Sequence, residues 1–216
     1  MNKITSWSYS RWKTYTECPL RAKLKFIDKL PDPSGPAADR GSAIHKMAQD
    51  YVEGFIPELP LPLNQFSMGF DHLRRIKAKC EIEWAFTASW TPTDWLATDA
   101  WLRVKTDAYV LKDDELTIID YKTGRVYPEH KDQCSIYALA GFLVVPGVKE
   151  ICTQLWYTDQ QQIADHLYKK KDFPALKKDW IKRSRPMLND TKFLPIPGAH
   201  CRYCIFKKGV GGQCPC

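Results

Sequence analysis

The chain has 216 residues, of which 44% are hydrophobic and 26% charged, a balance typical of one folded domain rather than a disordered chain. No apolar run approaches the roughly 20 residues that a membrane-spanning helix needs, and the N-terminus lacks the apolar core of a signal peptide. We therefore expect a single domain over residues 1–216, located in the cytoplasm. The net charge of +7 is compatible with a polyanionic partner.

The predicted elements alternate along the chain. Apolar periodicity predicts helices at 8–30 with a break at Pro19, 37–54, 64–79, 129–144 and 174–188. Runs rich in aromatic and β-branched residues predict strands at 80–90, 98–111, 116–122, 149–158 and 161–168. A polar turn at 112–115 predicts that 101–122 form a β-hairpin. This order predicts an α/β fold in which a mixed sheet is flanked by helices.

Two carboxylates and a lysine lie on neighbouring strands of the predicted hairpin. Asp107 lies on the first strand, and Asp120 and Lys122 lie two residues apart on the second, so they share a face that Tyr121 does not. Two carboxylates can hold a hard divalent ion such as Mg²⁺, and a neighbouring lysine can orient a water or offset charge on a phosphate. An isolated Asp-x-Lys is more often a solvated ion pair. The turn signal at 123–124 places this one at a strand end, where ligands collect.

Three side chains on predicted helices are candidates for the same site. Gln133 and Tyr137 are four residues apart and share one helical face, either as a surface pair or as a support for the lysine and a nucleic-acid strand. His45 follows Gly41 by four residues on an amphipathic helix. A lone histidine is more often a core or surface residue than a ligand. From position alone, both alternatives stay open.

In order and spacing, these segments resemble the motifs of the PD-(D/E)XK nucleases. The matching strings are Gly41-Ser42-Ala43-Ile44-His45, Asp107, Asp120-Tyr121-Lys122-Thr123-Gly124 and Gln133-Cys134-Ser135-Ile136-Tyr137. The branch they resemble most contains the RecB nuclease domain, the CRISPR-associated adaptation exonucleases and small virus-encoded homologues. The resemblance extends from Trp7 to Cys214 and implies a restriction-endonuclease-like core.

The resemblance also implies roles for individual residues. The catalytic Mg²⁺ or Mn²⁺ would be bound by His45, Asp107, Asp120 and the backbone carbonyl of Tyr121. Lys122 would position or activate the attacking water, and Gln133 and Tyr137 would support the site and the DNA strand. The strand that carries Glu81 and Glu83 matches the family less well, and we expect no catalytic role for either glutamate.

The implied activity is metal-dependent hydrolysis of DNA by an exonuclease. The single-stranded or end-containing substrate, the 5′→3′ direction and a place in DNA repair or recombination follow from the resemblance alone. A protein that keeps this fold but only binds DNA or assembles with other factors is the alternative. The intact set of Asp107, Asp120 and Lys122 argues against it, because a binder gains nothing from carboxylates beside phosphates.

The sequence contains 8 cysteines, which in a reducing cytoplasm are more typical of metal binding than of disulfides. Cys201 and Cys204 form a Cys-x-x-Cys pair, Cys214 and Cys216 follow, and Cys18 stands alone near the N-terminus. Four thiolates suit either Zn²⁺ or an iron–sulfur cluster, provided that the chain ends meet. With Zn²⁺, the tail could instead define a zinc-site interaction protein. Three other cysteines lie within regular elements and are expected to be ordinary buried thiols: Cys80, Cys134 and Cys152.

The family resemblance implies a [4Fe–4S] cluster that joins residues 8–30 to residues 195–216. Its ligands would be Cys18, Cys201, Cys204 and Cys214. The two glycines before Cys214 give the chain freedom to fold back, which favours Cys214 over Cys216 and over His200. The long spacing between Cys204 and Cys214 keeps Zn²⁺ as the alternative.

Two basic stretches are candidates for contact with DNA, as a single strand or at duplex ends. The first contains Lys169, Lys170, Lys171, Lys177, Lys178, Lys182, Arg183 and Arg185, and is either a phosphate-contacting surface or a solvated face. The second interleaves Arg11 and Lys13 with Trp7, Tyr9, Trp12 and Tyr15, a combination that can stack bases and hold phosphates. We expect Trp12 and Tyr15 to lie in the core.

Overall fold

The computed structural model describes residues 3–215, within which six strands form one mixed sheet in the order β2-β1-β3-β4-β5-β6. The strands are β1 (Lys79–Phe86), β2 (Pro92–Thr93), β3 (Leu102–Lys112), β4 (Glu115–Lys122), β5 (Glu150–Tyr157) and β6 (Gln162–Lys169). Strands β4 and β5 are parallel and the other neighbours are antiparallel. The predicted hairpin and the predicted mixed sheet are both confirmed.

Helices cover both faces of the sheet. They are α1 (Tyr9–Glu17), α2 (Pro19–Phe26), α3 (Pro36–Val52), α4 (Ser67–Arg75), α5 (His130–Val144) and α6 (Phe173–Asn189). One core contains side chains of α1, α2, α5 and α6, and the other contains side chains of α3 and α4. None of the helices in residues 3–215 is long and apolar enough to cross a lipid bilayer.

Several element boundaries differ from the prediction for local reasons. The predicted helix 8–30 divides at Cys18, whose backbone is extended, because Pro19 begins a new helix and cannot continue the old one. The predicted helix 64–79 is a 3₁₀ segment, Leu61–Phe66, followed by the shorter α4. The first predicted strand, 80–90, ends earlier than predicted, at Phe86, and the second, 98–111, begins later, at Leu102. The long loop between them, 87–101, holds only the two-residue β2.

Helix α5 is the crossover between the parallel strands β4 and β5, and it lies very close to the sheet. A Cβ added at Gly141 would lie 2.8 Å from side-chain atoms of both Leu116 and Ile151. Only glycine therefore permits this approach without a shift of the helix or the strands. The close packing at Gly141 fixes the distance between α5 and the two strands below it.

The ladder between β1 and β3 changes face where Glu81 lies opposite Asp107. Pairs on either side keep a constant register, but Ala108 packs in the core under α3 and α4 whereas Val104 packs in the core under α5. Residues four apart on a regular strand share a face, so the strands bend between these positions. Glu81 has a left-handed backbone with φ 54°, an uncommon conformation for a residue with a side chain. The bend brings two carboxylate-bearing residues opposite one another.

Candidate metal and catalytic site

The site lies where β3 and β4 stop pairing. Their antiparallel ladder ends at Ala108 and Ile119, while β4 stays paired with β5 as far as Lys122. Beyond that point the backbone N–H of Tyr121 donates a hydrogen bond to Asp107 Oδ2 at 2.6 Å. A side chain thus replaces the next ladder contact. The predicted site residues gather around this opening.

Asp120 is approached from the α5 side and is only 3% exposed. Its Oδ1 accepts hydrogen bonds from Tyr137 Oη at 2.5 Å and from Gln133 Nε2 at 3.2 Å. Gln133 Oε1 accepts a hydrogen bond from Lys122 Nζ at 2.7 Å. Asp120 and Lys122 therefore share the α5 face of the strand, as their spacing predicts, and Gln133 links them. Tyr121 points to the other face and packs in the α3–α4 core.

The second carboxylate oxygen of Asp120, Oδ2, faces the ammonium of Lys122. Lys122 Nζ forms an ion pair with Asp120 Oδ2, but the contact lacks hydrogen-bond geometry, and no described residue donates a hydrogen bond to this buried oxygen. The ammonium of Lys122 is thus the cation that offsets the charge of this buried oxygen. The group of ligand atoms that fits a divalent ion comes from His45, Glu81 and Asp107.

The α3 side supplies a second group of ligands. His45 Nδ1 lies 3.0 Å from Asp107 Oδ1. One ligand atom from each of His45, Asp107 and Glu81 lies within 4.8 Å of the other two. Glu81 is the member that the sequence analysis expected to have no catalytic role. The signal that could have found it is its position opposite Asp107, which becomes visible only once the register of β1 is known.

The electrostatics of the site reflect crowded negative charge. Burial raises the pKa of Asp107 above its usual range, and repulsion from Asp120 adds to the effect. Burial opposes protonation of His45, but the hydrogen bond and charge of Asp107 outweigh it and raise the pKa of His45. Lys105 forms an ion pair with Glu81 that raises the pKa of Lys105. A bound cation would relieve the repulsion between the carboxylates.

The four predicted cluster ligands line one small cavity between α2 and the C-terminal segment. These residues are Cys18, Cys201, Cys204 and Cys214. The backbone N–H of Gly198 donates a hydrogen bond to Cys201 Sγ at 3.4 Å. A Cβ at Gly212 would lie 2.2 Å from the carbonyl group of Phe206, so glycine is required for the tail to fold back. Cys216, the alternative ligand, lies outside the described residues.

The described cysteines form no disulfide. Among residues 3–215, no three cysteine sulfur atoms lie within 4.8 Å of one another. Cys80 and Cys134 are buried as predicted, but Cys152 is only half-buried because it lies on the β5 surface beside the antiparallel β6. His200 lines the same cavity as the four cysteines.

Three of the eight residues in the first predicted basic stretch form polar contacts within the fold. Arg183 forms ion pairs with Asp132 and Asp179, at 2.6 and 2.8 Å. Lys169 pairs with Glu150 at 3.0 Å, and Lys170 donates to a backbone carbonyl of α5. Carboxylates therefore neutralise two of the eight basic residues of this stretch within the fold. Trp12 and Tyr15 are half-buried and pack against the core, as predicted.

The chain is an α/β protein whose split sheet carries carboxylates that could hold a metal ion, with a lysine beside them. Two segments that together span most of the sequence, residues 6–100 and 65–208, match the family model of the PD-(D/E)XK nuclease superfamily. The chain belongs to this superfamily, as its motifs predicted. Membership and the carboxylate site together support a metal-dependent nuclease, with DNA as the substrate that the family implies.

Solved structures also resemble the chain, among them the following two. One, described as a "putative exonuclease" from Eubacterium rectale, has a TM-score of 0.55 at 13% identity, covering 96% of this chain and 88% of that one. The other, SSO0001, has a TM-score of 0.48 at 17% identity, covering 100% and 88%. At such identities the first similarity is one of fold alone. No curated protein matches the sequence.

Proposed function

We propose that the chain is a Mg²⁺- or Mn²⁺-dependent DNA exonuclease of the RecB-like branch, to which the adaptation exonucleases and small virus-encoded homologues belong. It would act in the cytoplasm on single-stranded DNA or DNA ends, with 5′→3′ preference, in repair or recombination. The observation that carries the proposal is that Asp107 accepts the backbone N–H of Tyr121 at the split between β3 and β4, next to Asp120, which forms an ion pair with Lys122. Polarity, strand preference, branch and pathway rest on the motif resemblance.

The residues that would hold the metal come from both sides of the sheet. They are Asp107, Asp120, His45, the Tyr121 carbonyl and, from the geometry of the bend, Glu81. Oxygen-rich donor sets of this kind suit Mg²⁺ and Mn²⁺. When bound, such an ion supplies Lewis-acid stabilisation of the charge that builds up on a phosphate under attack.

Lys122 is the group best placed to act on the water or the phosphate. Its ammonium is restrained by the Gln133 amide oxygen and by Asp120, so little rotamer freedom remains to be lost on binding. A restrained ammonium can donate a hydrogen bond to the attacking water or to a phosphate oxygen. Tyr137 and Gln133 keep Asp120 in place, which makes them positioning residues rather than reacting groups.

We also propose that Cys18, Cys201, Cys204 and Cys214 bind a [4Fe–4S] cluster that joins the two ends of the chain. The shared cavity and the N–H···S hydrogen bond to Cys201 support it. Tetrahedral zinc at the same thiolates is the alternative.

The cluster proposal has its own test, independent of cleavage. Iron, zinc and acid-labile sulfide would be measured on anaerobically purified protein and on Cys201→Ser, with thermal melts of both. We expect iron and sulfide in the wild type, loss of both in the variant and a lower melting temperature, because metal binding is coupled to folding. Zinc near one per chain without iron would replace the cluster with a zinc site.

The nuclease is tested by cleavage of 5′- and 3′-labelled DNA, single-stranded and double-stranded, with Mg²⁺, Mn²⁺ or EDTA. Wild type should degrade DNA only with metal, and the label pattern gives the direction. Asp120→Ala should retain DNA binding and lose cleavage. If neither protein cleaves DNA while both are folded and loaded with iron, the chain is a DNA-binding or assembly factor instead.

A further inference from the structure

A cleft of about 370 Å³ opens beside the metal site on the α5 side of the sheet. Its walls are the N-terminal segment 7–11, Trp95 of the 87–101 loop, residues 103–105 of β3, and Gln133, Ile136 and Tyr137 of α5. Gln133 and Tyr137 also contact Asp120. The cleft is therefore continuous with the groups that would carry the chemistry.

Two arginines give the cleft a positive charge that the described residues do not neutralise. Arg11 donates hydrogen bonds to the carbonyl and hydroxyl oxygens of Ser6, at 2.9 and 2.8 Å, and Arg103 Nε donates to the Trp95 carbonyl at 2.9 Å. Neither arginine has a carboxylate partner within residues 3–215. Burial lowers the pKa of Arg11, and the like charge of Arg103 adds to this effect. Two oriented, mutually repelling guanidinium groups form a site for an anion.

The same walls carry aromatic rings and an unpaired donor. Trp95 is half-buried with the Arg103 guanidinium 5.8 Å from its ring centroid, and Tyr9 lines the cleft beside it. Trp7 is 1% exposed, and its indole N–H donates to no described residue. Trp7 therefore forms part of the cleft wall as a packed ring. Cations with aromatic rings are the chemistry that binds single-stranded nucleic acid.

We propose that this cleft holds the substrate DNA strand next to the scissile phosphate, with Arg11 and Arg103 on a neighbouring phosphodiester and Trp95 against a base. The inference rests on the proposed nuclease function, whose substrate strand it positions. Aromatic rings recessed in a cleft can stack only on bases that are not paired in a duplex. The cleft therefore selects single-stranded DNA, or a frayed end, over an intact duplex.

The test is binding of fluorescein-labelled oligothymidine and of a duplex of equal length, followed by fluorescence anisotropy in EDTA so that no cleavage occurs. Trp95→Ala should weaken single-strand binding by about 5- to 140-fold and leave duplex binding nearly unchanged. Trp95→Phe keeps an aromatic face and should retain most of the affinity. Arg103→Gln should weaken binding and lower the slope of log affinity against log salt by about 0.7.

Arg75→Gln is the matched control, since it removes the same charge from an exposed position of α4 on the other side of the sheet. It should leave both affinities within about twofold of wild type. Equal losses for Arg75→Gln and Arg103→Gln, or unchanged single-strand binding by Trp95→Ala, would overturn the proposal. Melts of each variant verify folding, and the comparison of Arg103→Gln with Arg75→Gln decides the proposal if Trp95→Ala does not fold.

Failure of this proposal and failure of the nuclease are distinguishable. If the wild type cleaves DNA with metal and Trp95→Ala binds single strands normally, the nuclease proposal stands and the cleft proposal is wrong. If the wild type does not cleave DNA and Trp95→Ala loses single-strand binding, the cleft is a binding site and the nuclease proposal is wrong.

Discussion

Tyr137→Phe tests whether the hydroxyl above Asp120 maintains the metal site. Tyr137 lies on α5 and is buried. Of the two hydrogen bonds that Asp120 Oδ1 accepts, the one from the Tyr137 hydroxyl is the shorter, at 2.5 Å. The substitution removes one atom and leaves the ring in place. Asp120 then keeps only the longer bond from Gln133, at 3.2 Å. A buried carboxylate with one weak donor is poorly held for a metal ion.

Two independent arguments give the size of the effect. A hydrogen bond to a charged group contributes about 1.5–3 kcal/mol, which corresponds to roughly a 10- to 100-fold loss at about 1.4 kcal/mol per tenfold. Loss of a group that orients a metal ligand likewise costs about 10- to 100-fold in metal affinity or activity. The same energy lowers the melting temperature by about 3–12 °C for a chain of this size.

The assay is the cleavage rate of labelled single-stranded DNA as a function of Mn²⁺ concentration, with a thermal melt of each protein. Tyr168→Phe is the matched control, because it deletes the same atom from a hydroxyl that has no partner among the described residues. The control should match wild type in rate and stability. If Tyr137→Phe also matched wild type in both, Asp120 would not depend on this hydroxyl and the reasoning would be wrong.

Three further substitutions probe the bend, the packing of α5 and the turn after β4. Glu81→Gln should raise the Mn²⁺ concentration for half-maximal cleavage by about 10-fold or more; an unchanged value would leave Glu81 as a partner of Lys105 only. Gly141→Ala should lower the unfolding free energy in urea by up to about 2 kcal/mol, because overpacking costs about 1–3 kcal/mol and the better helix propensity of alanine returns about 1. A more stable variant would contradict the close contact. The hydrogen bond from Arg40 lowers the pKa of Asp159. The ion pair therefore stabilises the fold fully above the ordinary aspartate pKa, and this stabilisation is lost as pH falls through the lower pKa of Asp159 in the folded protein. Asp159→Asn should remove this part of the acid unfolding transition, which amounts to less than about 1 kcal/mol.

Much of the α5 side of the site could be predicted from the sequence because it depends on local periodicity. Alternation on β4 places Asp120 and Lys122 on one face, and helical spacing places Gln133 and Tyr137 on another. The parallel pairing of β4 with β5 then requires a helix between them, and that helix carries both residues. Short-range geometry and one topological rule bring these four side chains together.

The rest of the site depends on long-range features that no local pattern encodes. Glu81 enters the site through a left-handed backbone and a register set across the long 87–101 loop. Trp95 and Arg103 come together because that loop folds back onto the start of β3. The cysteine site was predicted only through family resemblance, because Cys18 is 183 residues from Cys201 and spacing alone does not show that the termini meet.

We propose that Asp107 and Asp120 hold a divalent metal ion that supports hydrolysis of DNA. This proposal is tested most directly by single-turnover cleavage of labelled DNA in Mg²⁺, comparing wild type with the isosteric Asp120→Asn. We expect metal-dependent cleavage by wild type and a loss of at least about 10- to 100-fold in the variant, with unchanged DNA binding in EDTA. A folded Asp120→Asn that cleaves at the wild-type rate would contradict it.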